Sequence, residues 1–321
     1  TNATNNTIRY KTRIVARGYS QEKGVDYFNT YAPTLSLNSM RILLAMSANL
    51  GMTVYNLDIM TAFLYGEADV PIYMEVPEGL EPETEEESEL LESGRAALLL
   101  LKSIYGLHQA AHLWIQRIFN YLLLHGFMQL HSDGCIFHRK KRGKIILGIY
   151  VDDIVMCAEN EEDHVWVKQI PSKQFKFRDM GEIKETLGVE VKRTGENVYS
   201  ISQTKYIEKM CEKYDVTLKK RANTPITQAQ KLNECENSPK ENETAYRSMI
   251  GAVLYVSVAT RPDISYAVST LAKYSTDPRK MHVDAVKRLM SCLLKTKHFA
   301  VSYGHVRGTT ACADSSHASC P

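Results

Sequence analysis

Apolar positions along the chain recur with two periods. A spacing of three and four residues predicts a helix over 39–50, with Ile42, Leu43, Met46 and Leu50 on its apolar face, and another over 110–125, carrying Leu113, Trp114, Ile118, Tyr121 and Leu122. Asn38 or Ser39 caps the first helix and Gly51 ends it. Short apolar runs predict strands. TVYNLDI runs into Asp58, and IILGIY and IVMCA flank a tight VDD bend, which reads as a β-hairpin covered on one face by a helix over 161–174. Near the start, strand character begins at Ile8, and RYKTRIVARGYSQ reads as a hairpin-like segment. From Lys205 onward the periodicity is helical, over 205–214, 244–258, 264–274 and 282–296. The polar stretch NTPITQAQKLNECENSPKENET interrupts it as a linker with two prolines.

A chain of 321 residues buries a sizeable core and has room for two to three structural units. Its most apolar stretch, Met249 to Ala259, is about half of what a bilayer-spanning helix needs. The opening TNATNNTIRYKTR is polar and then basic, unlike a signal peptide, so a soluble intracellular protein without membrane partners is expected. Seven scattered cysteines without a C-x-x-C pair fit a reduced compartment. Cys312, His317 and Cys320 fall short of a zinc knuckle, which needs a fourth ligand and a close Cys pair. The net charge of +2 hides an asymmetry. Residues 81–92 hold seven glutamates and no cation, which reads as a solvated loop, and without them 39 basic residues face 30 acidic ones. That excess is compatible with a phosphate-binding surface.

The chemistry concentrates in three carboxylates. Asp58 ends an apolar strand, while Asp152 and Asp153 occupy the bend of an apolar hairpin, and no Lys or Arg lies within several residues of either site. Half-buried carboxylates are costly unless a cation neutralises them. Three converging acids form a hard oxygen site suited to Mg²⁺, which holds two ions in enzymes of in-line phosphoryl displacement. An Asp pair is also a good turn former, so the pair alone does not decide between a turn and a metal site.

The surrounding motifs decide it. YVDD, Tyr150 to Asp153, resembles the Y-x-D-D box of reverse transcriptases. LDIMTAF (57–63), PIYMEVPEGL (71–80) and KSIYGLHQA (102–110) narrow the resemblance to copia-type retrotransposon polyproteins. KTRIVARGYSQEKGVDYFNTYAPT, LGVEV at Leu187 and YRSMIGAVLYVSVATRPDISYAVS from Tyr246 extend it over nearly the whole chain in the family's order. The resemblance implies an α+β right-hand polymerase: fingers and palm over 1–204 with an antiparallel sheet, and a helical thumb or connection region over 205–310. It also implies an RNA-directed DNA polymerase that works on an RNA or DNA template–primer and dNTPs with two Mg²⁺ or Mn²⁺ ions. Asp58, Asp152 and Asp153 then take the metal-binding, catalytic roles. The main chain at Thr61 and Ala62 cradles the triphosphate, and Phe63 is the aromatic gate against a ribose 2′-hydroxyl. Arg13 and Lys11 neutralise the β- and γ-phosphates, Tyr105 and Gly106 position the templating pair, and Leu187 and Gly188 form the turn that steadies the primer end.

Several positions depart from the family's pattern. His108, Ala111 and His112 replace the usual Lys and Pro-Arg of the template block, and Met60 replaces the usual basic residue. ACADSSHASCP, at 311–321, resembles a truncated start of an RNase H domain in which Asp314 remains and Ser316 replaces the second acid of D-A-D. Two readings stay open: an active polymerase, or a catalytically dead remnant that serves at most as a nucleic-acid-binding module. Oligomeric state is not legible.

Overall fold

A computed structural model describes residues 12–94, 96–140, 143–170, 174–218, 222–226, 232 and 238–304. Lys11, residues 227–231 and 233–237 of the polar linker, the end of the helix expected over 161–174, and the whole of 311–321 with Cys312, Asp314, Ser316, His317 and Cys320 lie outside the described residues. The chain divides into two compact units, residues 1–36 with 55–181, and residues 37–54 with 182–321.

The first unit is built on a six-stranded sheet in the order β4-β5-β6-β7-β1-β8. These strands are β1 (Thr53–Ile59), β4 (Met128–Gln129), β5 (Ile136–Lys140), β6 (Lys144–Tyr150), β7 (Asp153–Ala158) and β8 (Phe177–Glu182). A two-stranded ribbon of β2 (Tyr73–Glu75) and β3 (Ala97–Leu99) stands apart from it. The hairpin expected around VDD is present: β6 and β7 pair antiparallel from Ile145↔Ala158 to Tyr150↔Asp153, leaving a two-residue loop. Both strands are almost wholly buried, which explains their unbroken apolar run. Helix α3 (Ala110–Leu124) lays Trp114, Ile115, Ile118 and Leu122 against Leu147, Ile149 and Met156, and α4 (Glu161–Gln169) adds Val167.

The second unit contains a four-stranded sheet in the order β12-β11-β10-β9 that the periodicity did not announce. It comprises β9 (Glu185–Thr186), β10 (Val189–Gly195), β11 (Val198–Ser202) and β12 (Val301–Tyr303), so its edge returns from a distant part of the chain. Helix α1 (Leu37–Leu50) lies against β11 and β12. Its buried stripe is Met40, Leu43, Leu44, Ser47 and Ala48, whereas the expected Ile42, Met46 and Leu50 are exposed. Both faces of this helix are apolar, so periodicity alone could not choose; the sheet did. The helices α5 (Thr204–Lys213), α6 (Glu243–Ala259), α7 (Ser265–Ala272) and α8 (Lys280–Lys295) form a separate core around Tyr246, Val253, Val256, Leu271, Val286 and Leu289.

Two further expectations need correction. The acidic run is not a loop throughout. Glu85–Glu92 is an exposed helix, α2, whose N-cap Thr84 accepts a hydrogen bond from the Glu87 N–H at 3.2 Å. Three glutamates in its first turn favour the positive helix end, which offsets their mutual repulsion. No hairpin forms over residues 12–21. Val15 makes a single parallel bridge to Tyr105, and Gly18–Ser20 is one tight turn. The mixed helix and antiparallel-sheet architecture agrees with the α+β class. No described helix is long and apolar enough to cross a membrane.

The most demanding polar burial in the second unit is Arg261, which is 3% exposed. Its Nε and Nη2 donate to both oxygens of Asp263 at 2.9 and 2.8 Å, and Nη1 donates to the Thr296 carbonyl at 3.0 Å. The guanidinium thereby ties the end of α6 to the end of α8, and it holds the Asp263 carboxyl below its usual pKa. Arg261→Ala removes all three of these hydrogen bonds, so it is expected to lower unfolding free energy by about 3 kcal/mol, roughly 1 kcal/mol for each. Urea denaturation measures this as a lower midpoint with an unchanged slope.

Candidate active site

The alternation of β1 places Asn56 and Asp58 on one side of the strand. Its end is fastened to the bend of the β6–β7 hairpin, because the Ile59 N–H donates to the Asp152 carbonyl at 2.8 Å. The bend itself is strained. Val151 sits at φ 54°, a left-handed conformation that a β-branched residue adopts at a cost of about 1–2 kcal/mol. The indole of Trp114, wholly buried in α3, donates to the Val151 carbonyl at 2.6 Å. Packing of α3 thus holds the geometry of the acidic pair.

Asp58 and Asp153 are half-buried and Asp152 is exposed. The Asp153 carboxyl is pushed up from 3.8 to about 6, first by burial and then by the negative charges of Asp152 and Asp58. An amide hydrogen bond from Asn56 partly opposes the shift. The three acids predicted from sequence therefore share one electrostatic neighbourhood. Among the described residues, no three His, Cys, Asp or Glu side chains close into a ready-made metal cage. The donor chemistry nevertheless suits a hard divalent cation. The donors are carboxylates, a cation would relieve their mutual repulsion, and the buried Asn56 Oδ1 beside them has no hydrogen-bond partner among the described residues.

Asp58 and Asp152 open onto a cavity of about 820 Å³, whose walls also carry Arg13, Thr61, Tyr105 and Arg178. Thr61 takes a left-handed conformation, φ 55° and ψ 44°, and Ala62 begins the tight turn Ala62–Tyr65 that follows. Phe63 is half-buried, with its ring edge-on to Tyr105 at 5.1 Å, and the Arg13 guanidinium lies over that same Tyr105 ring at 5.5 Å. The segment bearing Arg13 is docked by main chain, with the Ala16 N–H donating to the Tyr105 carbonyl at 2.8 Å. Gly106, at φ 95°, permits this approach, since a Cβ there would fall 2.1 Å from the Ala16 oxygen.

The structure thus brings Arg13, Asp58, Thr61, Tyr105 and Asp152 to one cavity, with Asp153, Phe63 and Gly106 in direct support. Leu187 and Gly188 belong to the second unit, where they form the two-residue turn between β9 and β10 with φ 51° and 71°. Reasoning from sequence missed Arg178 and Asn56. Asn56 carried a usable signal, an amide inside an otherwise apolar strand two residues from Asp58. Arg178 carried none, as an ordinary cation on a largely exposed strand. Two of the departures from the family's pattern have local roles: the His108 ring packs against Tyr27 at 4.7 Å, and the His112 Nδ1 bonds the Tyr31 carbonyl at 2.6 Å.

Comparison with known proteins places the chain in a family. The family described as reverse transcriptase (RNA-dependent DNA polymerase) matches residues 1–228. The chain belongs to that family. It is similar to the retrovirus-related Pol polyprotein from transposon TNT 1-94 of Nicotiana tabacum, at 31% identity over 92% of this chain and 22% of that protein. The polyprotein from transposon RE1 of Arabidopsis thaliana is 32% identical over 91% of the chain and 19% of its own length. The putative transposon Ty5-1 protein of Saccharomyces cerevisiae is 29% identical over 81% of the chain and 83% of its own length. The chain spans about a fifth of the length of the two plant polyproteins. No solved structure matches it. The resemblance to copia-type retrotransposon reverse transcriptases therefore holds.

The chain carries a stability cost at its acids. Asp153 binds its proton more tightly folded than unfolded, so folding is favoured at low pH and that contribution is lost as pH rises through about 6. In chelator, Asp153→Asn is expected to stabilise the fold at pH 7 by about 1 kcal/mol, after discounting for solvent screening. The gain should vanish near pH 4, which urea unfolding at both pH values measures. Gly106→Ala is expected to dislodge the segment around Ala16, read as faster tryptic cleavage at Arg13 and Arg17 under native conditions.

Proposed function

We propose that this chain is an RNA-directed DNA polymerase that transfers a nucleotide from a dNTP to a primer 3′-hydroxyl on an RNA or DNA template. The observation that carries the reading is the coupling of Asp58, Asp152 and Asp153 at the joined ends of β1 and the β6–β7 hairpin, beside a cavity that also bears Arg13 and Thr61. Family membership supports the same chemistry. Residues 1–204 then correspond to the fingers and palm, and residues 205–310 to a helical thumb or connection region.

In this reading Asp58, Asp152 and Asp153 would hold two Mg²⁺ or Mn²⁺ ions, which when bound would supply positive charge to an attacking 3′-oxygen and a leaving pyrophosphate. The protein's own contribution is positioning. Trp114 and the Ile59–Asp152 main-chain bond keep the acidic pair at the end of β1 before any ligand arrives. Repulsion stored among the acids makes proton and cation compete for Asp153, so a neutral to alkaline pH favours the loaded site. The main chain at Thr61 and Ala62 cradles the triphosphate, while Arg13, with Lys11, faces its outer phosphates. Phe63, braced edge-on by Tyr105, lies beneath the sugar and excludes a 2′-hydroxyl sterically. Tyr105 and Gly106 seat the templating pair, and the Leu187–Gly188 turn steadies the primer end. The nucleic acid is held chiefly through its phosphates, so binding weakens steeply with salt.

Primer extension on a primed homopolymer RNA with Mg²⁺ or Mn²⁺ tests this. Extension is expected from the wild-type chain and a loss of at least about 100-fold from Asp152→Asn with Asp153→Asn. A folded wild-type chain that binds primer–template but does not extend it sinks the proposal and leaves a nucleic-acid-binding remnant.

A further inference from the structure

The turn between β9 and β10 is an unusual one for its sequence. Two-residue turns with positive φ at both positions favour Asn, Asp or Gly at the first, because other side chains pay a steric cost there. Here the first position is Leu187, at φ 51°, followed by Gly188 at φ 71°. The flanking ladder is short: β9 contributes Glu185 and Thr186, paired with Glu190 and Val189, and the Val191 N–H adds one bond to the Lys184 carbonyl at 2.9 Å. A contact from outside the hairpin strengthens its hold on the strained turn.

Tyr255 makes that contact. Its hydroxyl donates to the Leu187 carbonyl at 2.6 Å. The same oxygen would lie 2.8 Å from a Cβ at Gly188, so one phenol tip touches both turn residues and helps restrict the second to glycine. Tyr255 lies in the middle of α6, whose buried neighbours Val253 and Val256 belong to the helical core while Tyr255 itself is not among the core residues. Its ring is set by Tyr206 of α5, edge-on at 5.0 Å. The base of the hairpin is tied to the start of α5 as well: the Lys205 N–H donates to Glu190 at 3.0 Å, and Lys205 Nζ bonds Glu185 at 3.3 Å. The hairpin is therefore held from the helical layer at its base by Lys205 and at its tip by the Tyr255 hydroxyl.

We infer that Tyr255 is a positioning residue for polymerisation, which fixes the Leu187–Gly188 turn against the primer terminus from helix α6. The inference rests on the polymerase reading proposed above and on the primer-steadying role of that turn. A tyrosine that merely packed would affect stability alone. One that positions the primer end affects the rate of the chemical step at unchanged ligand affinity.

Tyr255→Phe removes the hydroxyl and keeps the ring. Single-turnover extension with saturating dNTP is expected to slow about tenfold, the scale of a small misplacement of a reacting group. The dNTP concentration for half-maximal rate, and the dissociation constant for primer–template, should stay within about twofold of wild type. Combining it with Leu187→Asn provides a second readout. Asparagine adopts the left-handed conformation unaided, so adding Tyr255→Phe to a chain that already carries Leu187→Asn should slow extension by less than about twofold. Equal rates for wild type and Tyr255→Phe overturn the inference and leave the polymerase reading intact. So does a slowing that comes with parallel loss of primer–template affinity and thermal stability. A folded wild-type chain that binds primer–template without extending it overturns the polymerase reading, and this inference with it.

Discussion

Mutual repulsion among Asp58, Asp152 and Asp153 is the constraint around which the first unit is organised. Burial and the two neighbouring charges together raise Asp153 to about 6, so the arrangement opposes folding at neutral pH when no cation is present. It persists because its supports are apolar and buried. The hairpin strands β6 and β7 lie deep in the sheet, Trp114 is fully enclosed in α3, and the strained Val151 bend hangs from that indole. Local strain at Val151 and Thr61 is thus offset by burial elsewhere, a pattern expected at functional sites.

Around the acids, the cavity wall depends on close approaches of main chain. The segment bearing Arg13 has no strand ladder of its own; it is held by one bridge to Tyr105 and by contact across two glycines, Gly18 and Gly106. A Cβ at Gly18 would fall 1.9 Å from the Gly106 oxygen, so neither position tolerates a side chain. Among the described residues, no side-chain ion pair competes for the Arg13 guanidinium. Arg13 instead rests on the Tyr105 ring, a contact that leaves its charge available to an anion.

The second unit solves a different problem, holding a short hairpin and a helical bundle in fixed geometry. Arg261 links two helix ends from a buried position, and Tyr255 reaches from α6 to the β9–β10 turn. Both lie in the block from Tyr246 that the sequence shares with copia-type polyproteins.

Local sequence determined the elements whose signal is covalent or short-range. Apolar runs on either side of the tight VDD bend pointed to a hairpin, and the stripe from Trp114 to Leu122 to a core helix, and both are present. The ordered motifs likewise named the three acids, and their chemistry follows from residue type. What tertiary structure decided were choices the chain left degenerate. Helix α1 is apolar on both faces, and only the sheet of β11 and β12 selected Met40 and Leu44 over Ile42 and Met46. The acidic run became a helix because Thr84 capped it, and the N-terminal segment found its partner at Tyr105, some 90 residues away, rather than in itself. Arg178 joined the cavity only because β8 lies beside β1 in the sheet. Those outcomes depend on which distant surfaces meet, and side-chain periodicity records only how a segment divides apolar from polar, not what it will face.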